Sequence, residues 1–143
     1  MTSVSRPQRP IRSVEDLTQW WATRLAPAIF NDRTLRLAWL DTDGFVAAPI
    51  VDVENVPLLP GHGLVCGLID LHDAVSERTA TEDGHVALSL CRPGSAEITE
   101  DDDEWIEALE DELGGQIEAS WSLHVAADGW VTELAGRPWW TRR

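Results

Sequence analysis

Few side chains in this chain combine reactive chemistry with a useful spacing. His62 and Cys66 stand i, i+4 and share a helix face near its N-terminus. A thiol in that setting is a reactive nucleophile or half of a metal site; the plainer reading is a capping His beside a buried Cys. His72 lies further along and completes no ligand spacing with His62. His85 and Cys91 share one face of a strand, but about 20 Å of extended chain separates them, so they form no dyad. His124 alternates with Ser122 and Ala126 and reads as a satisfied strand histidine. All eleven basic residues are Arg, which excludes a Schiff-base lysine and a P-loop lysine. The acid-rich run from Glu100 to Glu112 lacks the glycine and alternating ligands of a calcium loop. It reads as a solvated helix face or as a docking surface for basic groups.

The elements that must position these groups follow from periodicity. Ser13 opens a helix, with Asp16 three residues on as in a capping box, and Val14, Leu17, Trp21, Leu25 and Ala28 follow at helical spacing. Residues 34–40 and 45–51 read as a hairpin across Asp41-Thr-Asp-Gly44, with Pro49 placing the second strand at an edge or bulge. Leu64, Leu68, Leu71 and Val75 mark a second helix ending near Arg78. The nearly continuous apolar run 85–91 reads as a central strand buried on both faces. Thr99 caps a third helix, with Asp102 three residues later, Trp105, Ile106, Leu109 and Leu113 as its buried stripe, and Gly114-Gly115 as its stop. Residues 121–127 and 130–134 form a last hairpin across Asp128-Gly129. The expected fold is α/β, a single three-layer domain with a mixed sheet and helices on both faces. Residues 1–12 read as a basic flexible arm, 13–136 as the domain and 137–143 as a basic tail containing Trp.

One joint in this order is specific. The chain runs Leu90-Cys91-Arg92-Pro93-Gly94, then through a short loop to Thr99-Glu100-Asp101-Asp102. This resembles the JAB/MPN domain of the RadC type, a relative of zinc-dependent isopeptidases, over roughly residues 34–134; the fold implied is JAB/cytidine-deaminase-like. In that family the strand ends His-x-His-Pro-Ser-Gly, and a Ser-x-x-Asp opens the next helix. The two His and the Asp hold zinc, and an upstream Glu works on the bound water. Pro93 and Gly94 match the corner, and Thr99 and Asp102 match Ser-x-x-Asp. Leu90 and Arg92 stand where the two His belong, and Glu54 lies in the region of the catalytic Glu. Leu cannot coordinate, and a guanidinium offers no lone pair to a metal. The resemblance therefore implies a vestigial site of Leu90, Arg92, Thr99, Asp102 and Glu54. No metal, cofactor or catalytic residue is expected there, and Arg92 is expected to pair with Asp102 in place of the metal's charge.

Charge and composition frame the function. At 143 residues the chain suits one domain, no apolar run is long enough to span a membrane, and two Cys make no disulfide framework, which places the protein in the cytoplasm. Net charge is −14, but residues 13–136 carry all 25 acids and only five of the Arg, leaving −20 there. Such a body repels nucleic-acid phosphate. The expected role is a non-catalytic, protein-binding or regulatory JAB-like module. Its partner is an unidentified protein, a basic one if it reads the acidic helix, and a homodimer is allowed. The expected binding residues are Trp139, Trp140 and Arg142 of the tail with Glu100 and Asp101 of the acidic helix, since Trp and Arg are the types that anchor interfaces. Two rivals stand beside it: a hydrolase using His62, Cys66 or Cys91, and an acidic inhibitor that mimics nucleic acid.

Overall fold

The computed structural model describes residues 9–137. The first helix, α1 (Val14–Leu25), starts where the side chains dictate. Ser13 Oγ accepts from the Asp16 amide at 3.0 Å, and the Asp16 carboxylate accepts from the Arg12 amide at 3.0 Å. The first contact meets an amide that a helix start leaves free, and the second ties the residue before the cap to the first turn. Leu17, Trp21 and Leu25 form its buried face. Ala28 is buried too, but not through helical spacing. The helix ends at Leu25, a cis Ala26–Pro27 bond follows, and Ala28 reverses the chain at φ +60°.

Five strands form one mixed sheet: β1 (Thr34–Leu40), β2 (Val51–Glu54), β3 (His85–Cys91), β4 (Ser120–Ala127) and β5 (Trp130–Arg137), in the order β2-β1-β3-β4-β5. β3 and β4 are parallel and every other pair is antiparallel. The first hairpin differs from the expected 34–40/45–51 pairing. Val46 makes only an isolated bridge to Leu40, and the regular return strand begins at Val51. The partner of Leu40 is 46 while that of Leu37 is 51, so two extra residues bulge out around Pro49, which cannot donate to a ladder. β2 is accordingly an edge strand.

Alternation along the strands separates two cores. Leu35, Leu37, Trp39, Val86, Leu88, Leu90 and Leu123 pack with Leu68 of α2 (His62–Thr79) and with Trp105 of α3 (Glu100–Ala108). Residues of opposite parity, Ala38, Leu40, Ala87, Cys91 and Ala126, pack with Leu17, Trp21 and Leu25 of α1. Each fully buried Leu contributes on the order of 1.5–3 kcal/mol relative to exposure, so β3, buried along its whole length, anchors both cores. Gly114-Gly115 does not stop the third helix. After Ala108 the backbone widens into a π-helical turn, Leu109–Leu113, and one more turn, α4 (Gly114–Gln116), precedes β4. The last hairpin is also longer than expected, with Arg137 still paired to Trp121.

The pairing aligns the strand ends. Cys91 and Ala127 close β3 and β4 at the end of the sheet where β1 and β5 begin and β2 finishes. The carboxyl ends of the two parallel strands are where open α/β sheets place ligands. No helix among the described residues is long and apolar enough to cross a membrane.

Candidate functional site

At that carboxyl end, β3 runs into the Pro93–Gly94 corner and then α3. Gly94 takes φ +94°, the left-handed region that a residue with a side chain rarely enters, and folds the loop back over Arg92. The guanidinium meets Asp102 through two parallel bonds, Nε to Oδ1 at 3.0 Å and Nη2 to Oδ2 at 2.7 Å. Its remaining donors reach the Ser95 carbonyl at 2.6 Å, the Glu97 carbonyl at 2.9 Å and the Pro93 carbonyl at 3.3 Å. Asp102 in turn accepts from the Thr99 amide at 3.0 Å, while Thr99 Oγ1 accepts from the Asp102 amide at 3.1 Å. This is a complete capping box with an arginine locked into it. The side chains of Arg92 and Asp102 are 3% and 0% exposed. Arg33, just before β1, stands close by: burial pushes its pKa down, Asp102 and Asp101 oppose this, and Arg92 reinforces it.

These residues do not fit the zinc site of the resembled family. Leu90 lies in the core under α2 and α3, and the two Asp102 oxygens are taken by Arg92 and Thr99. Glu54 ends the edge strand opposite Thr34. Because its neighbour Val53 packs toward the core that holds Leu90, alternation puts Glu54 on the other face of the sheet. The structure thus joins Arg92, Thr99 and Asp102 and leaves Leu90 and Glu54 apart. Among the described residues, no group of three or more His, Cys, Asp and Glu side chains is placed to hold a metal ion.

A second constellation sits between α2 and the π turn. His62 Nε2 lies 3.4 Å from Cys66 Sγ, against 4.0 Å for Nδ1, and Nδ1 is 2.5 Å from Glu112 Oε1. A carboxylate only accepts, so Nδ1 carries a proton, and in the neutral ring Nε2 then faces the thiol as an acceptor. Cys66 is exposed rather than buried, and a cavity of about 320 Å³ opens beside it, bounded by Ile69 and Asp70 of α2 and by Asp111 and Gln116. Spacing in the sequence pairs His62 with Cys66 but puts Glu112 in the acid-rich run, on a solvated or docking face. The widened turn that carries Glu112 toward α2 leaves no mark in the residue pattern, and π turns of this kind recur at functional sites.

The remaining histidines are structural. His85 is enclosed by Ser120 Oγ at 2.7 Å and Ser122 Oγ at 2.8 Å, and His124 Nε2 meets Thr18 Oγ1 of α1 at 2.8 Å. Burial, with the nearby His124, pushes the His85 pKa down to about 3, and burial pushes that of His124 down to about 4. His72 Nδ1 accepts from Trp39 Nε1 at 3.1 Å. Burial drives the Cys91 thiol up to about 11, which makes it inert as a nucleophile near neutrality.

The five large apolar side chains most open to solvent among the described residues are Ile29, Leu58, Leu59, Ile98 and Trp130. Four lie in connections at the carboxyl end of β3 and β4, before β1, after β2 and after β3, and Trp130 opens β5 at the same end. The Gly129 amide donates to the Ala28 carbonyl, tying the Trp130 turn to the Ile29 segment, while the Leu58 carbonyl accepts from Trp105 Nε1 at 2.9 Å. Exposed Glu97, Glu100 and Asp103 and half-buried Asp101 lie around Ile98. Trp139, Trp140 and Arg142 lie outside the described residues. No protein-family model matches the chain, and no curated protein matches it in sequence.

Proposed function

We propose that this chain is a non-catalytic, protein-binding or regulatory module of JAB-like type whose docking face is the carboxyl end of β3 and β4. One observation carries the reading: all five large exposed apolar side chains lie in, or directly beside, the connections that join the strands at that one end. An exposed apolar cluster with a charged rim is the usual signature of a protein interface. The acids at the start of α3 select for a partner that surrounds its apolar anchors with basic groups. Support for the non-catalytic part comes from the Arg92–Asp102 lock, which uses up the polar groups that chemistry at this joint would need. Two cysteines without a disulfide accord with a cytoplasmic setting.

The test uses synthetic peptides with a central Trp-Leu pair flanked by Arg, by Glu, or by neutral residues. The Arg-flanked set is expected to bind best, and its affinity should fall by about tenfold for Leu58→Asp or Trp130→Asp. The charge preference should shrink toward about 0.5 M salt as the Debye length shortens. Equal binding of all three sets, or indifference to both substitutions, would sink the proposal.

A further inference from the structure

We infer that Cys66 is a general-base-assisted thiol that takes up cationic disulfides, being converted to a mixed disulfide at the cavity between α2 and the π turn. The inference is independent of the docking face. It rests on the relay of Cys66 Sγ, His62 Nε2 and Nδ1, and Glu112, with contacts of 3.4 Å and 2.5 Å. Nucleophile, base and orienting carboxylate in hydrogen-bond sequence are the arrangement that activates a weak nucleophile. Glu112 fixes the ring so that Nε2, not Nδ1, meets the thiol, and its own side chain is two-thirds shielded while His62 stays open to solvent. The segment holding Glu112 leaves the α-helical path to bring it there.

The chemistry that fits is disulfide exchange rather than acyl transfer, because exchange needs no oxyanion-binding group. The Cys66 proton passes to His62 Nε2 as Sγ attacks one sulfur of the disulfide. A Cys66–sulfur bond forms, the sulfur–sulfur bond of the reagent breaks, and the departing thiolate takes the proton back from Nε2. One disulfide and one thiol are consumed, and one mixed disulfide and one thiol are produced. The reaction stops there. The only other cysteine, Cys91, is buried in the core beneath α1, with no access to resolve the product. Substrate charge is set by Asp70 and Asp111, which line the same cavity with no Arg among its walls. The site therefore prefers a cationic aminothiol disulfide over an anionic one.

The experiment treats the intact protein with cystamine, a dication, and with dithiodipropionate, a dianion. Adduct formation at Cys66 is followed by mass, and each rate is divided by that of a cysteine in an unstructured peptide. The normalised cystamine rate is expected to exceed the dithiodipropionate rate by about tenfold at low salt. His62→Gln should lower both rates by about tenfold or more, Glu112→Gln should lower both by less, and Asp70→Asn with Asp111→Asn should remove the charge preference while keeping the dependence on His62. Cys91 should stay unmodified throughout. Rates equal to the peptide's and unchanged by His62→Gln would make Cys66 an ordinary exposed thiol and overturn the inference. So would reactivity without charge preference.

Discussion

Two constellations of ionisable side chains sit at opposite extremes of this fold. At the β3–α3 joint, Arg92 and Asp102 are buried, doubly bonded to each other and saturated by backbone groups. Between α2 and the π turn, His62 links Cys66 and Glu112 at the surface, beside an open cavity. The first has no capacity left for a substrate or a metal. The second holds its geometry but keeps an accessible nucleophile. Burial decides which way a charged group is used. In the low-dielectric interior an unpaired charge is costly, so the pair must be complete; at the surface an incomplete set is cheap and remains reactive.

The largest expected effect tests the buried member. Arg92→Ala leaves Asp102 as an uncompensated buried carboxylate and should destabilise the fold by about 3–5 kcal/mol. The double change Arg92→Met with Asp102→Leu should recover much of that loss, because removing both charges also removes the desolvation penalty. Denaturant titration of the three proteins checks it. A loss below about 1 kcal/mol for Arg92→Ala would place the pair with ordinary surface ion pairs. The same saturation predicts no stoichiometric zinc by elemental analysis of purified protein. About one zinc per chain would reopen the metallopeptidase reading, since bound zinc needs three or four ligands.

Next in size is the pH response of the other buried groups. His85 and His124 are held neutral, with pKa values pushed down to about 3 and about 4. Their ordinary value is near 6.5, so the unfolded chain binds protons on acidification before the native state does. Their contribution is fully present above about pH 6.5 and is lost as pH falls from there toward the folded values. Between about pH 6.5 and 5 each histidine should remove about 2 kcal/mol of stability. Burial lowers the His72 pKa as well, so His72 shares this response, and His124→Gln should lower the slope over that interval by about a third to a half, even though it also loses the Thr18 hydrogen bond. Parallel slopes for variant and wild type would show that His124 does not titrate with folding.

How much of this was legible in the sequence varies with the range of the interaction. The helix caps at Ser13 and Thr99 were readable because capping is a three-residue affair, and β3 because burial on both faces writes a nearly continuous apolar run. The Arg92–Asp102 contact could be anticipated only through the family resemblance of the joint, which sets Arg92 and Asp102 at two positions of one site ten residues apart. Glu112 could not: it meets His62 across fifty positions, by way of a π turn that no residue pattern announces. The bulge around Pro49 was half legible, as Pro49 marked an irregular edge without fixing where pairing resumes. The gathering of Ile29, Leu58, Leu59, Ile98 and Trp130 depends on strand order, which local pattern does not contain.

The smallest expected effect on stability comes from the exposed relay, and its smallness sharpens the contrast. His62→Gln and Glu112→Gln break a contact whose histidine side chain is 81% exposed. Water replaces the lost partner at little cost, so each change should move stability by less than about 0.5 kcal/mol. If the two constellations differ as argued, Arg92→Ala should lower stability while leaving the normalised alkylation rate of Cys66 by iodoacetamide unchanged in whatever protein remains folded. His62→Gln should do the reverse, slowing alkylation by about tenfold with an unaltered denaturation midpoint. Measuring both quantities on both variants separates the two roles. A His62→Gln protein that loses 2 kcal/mol or more would mean that the relay braces α2 against the π turn, and the distinction between a spent pair and a reactive one would fail.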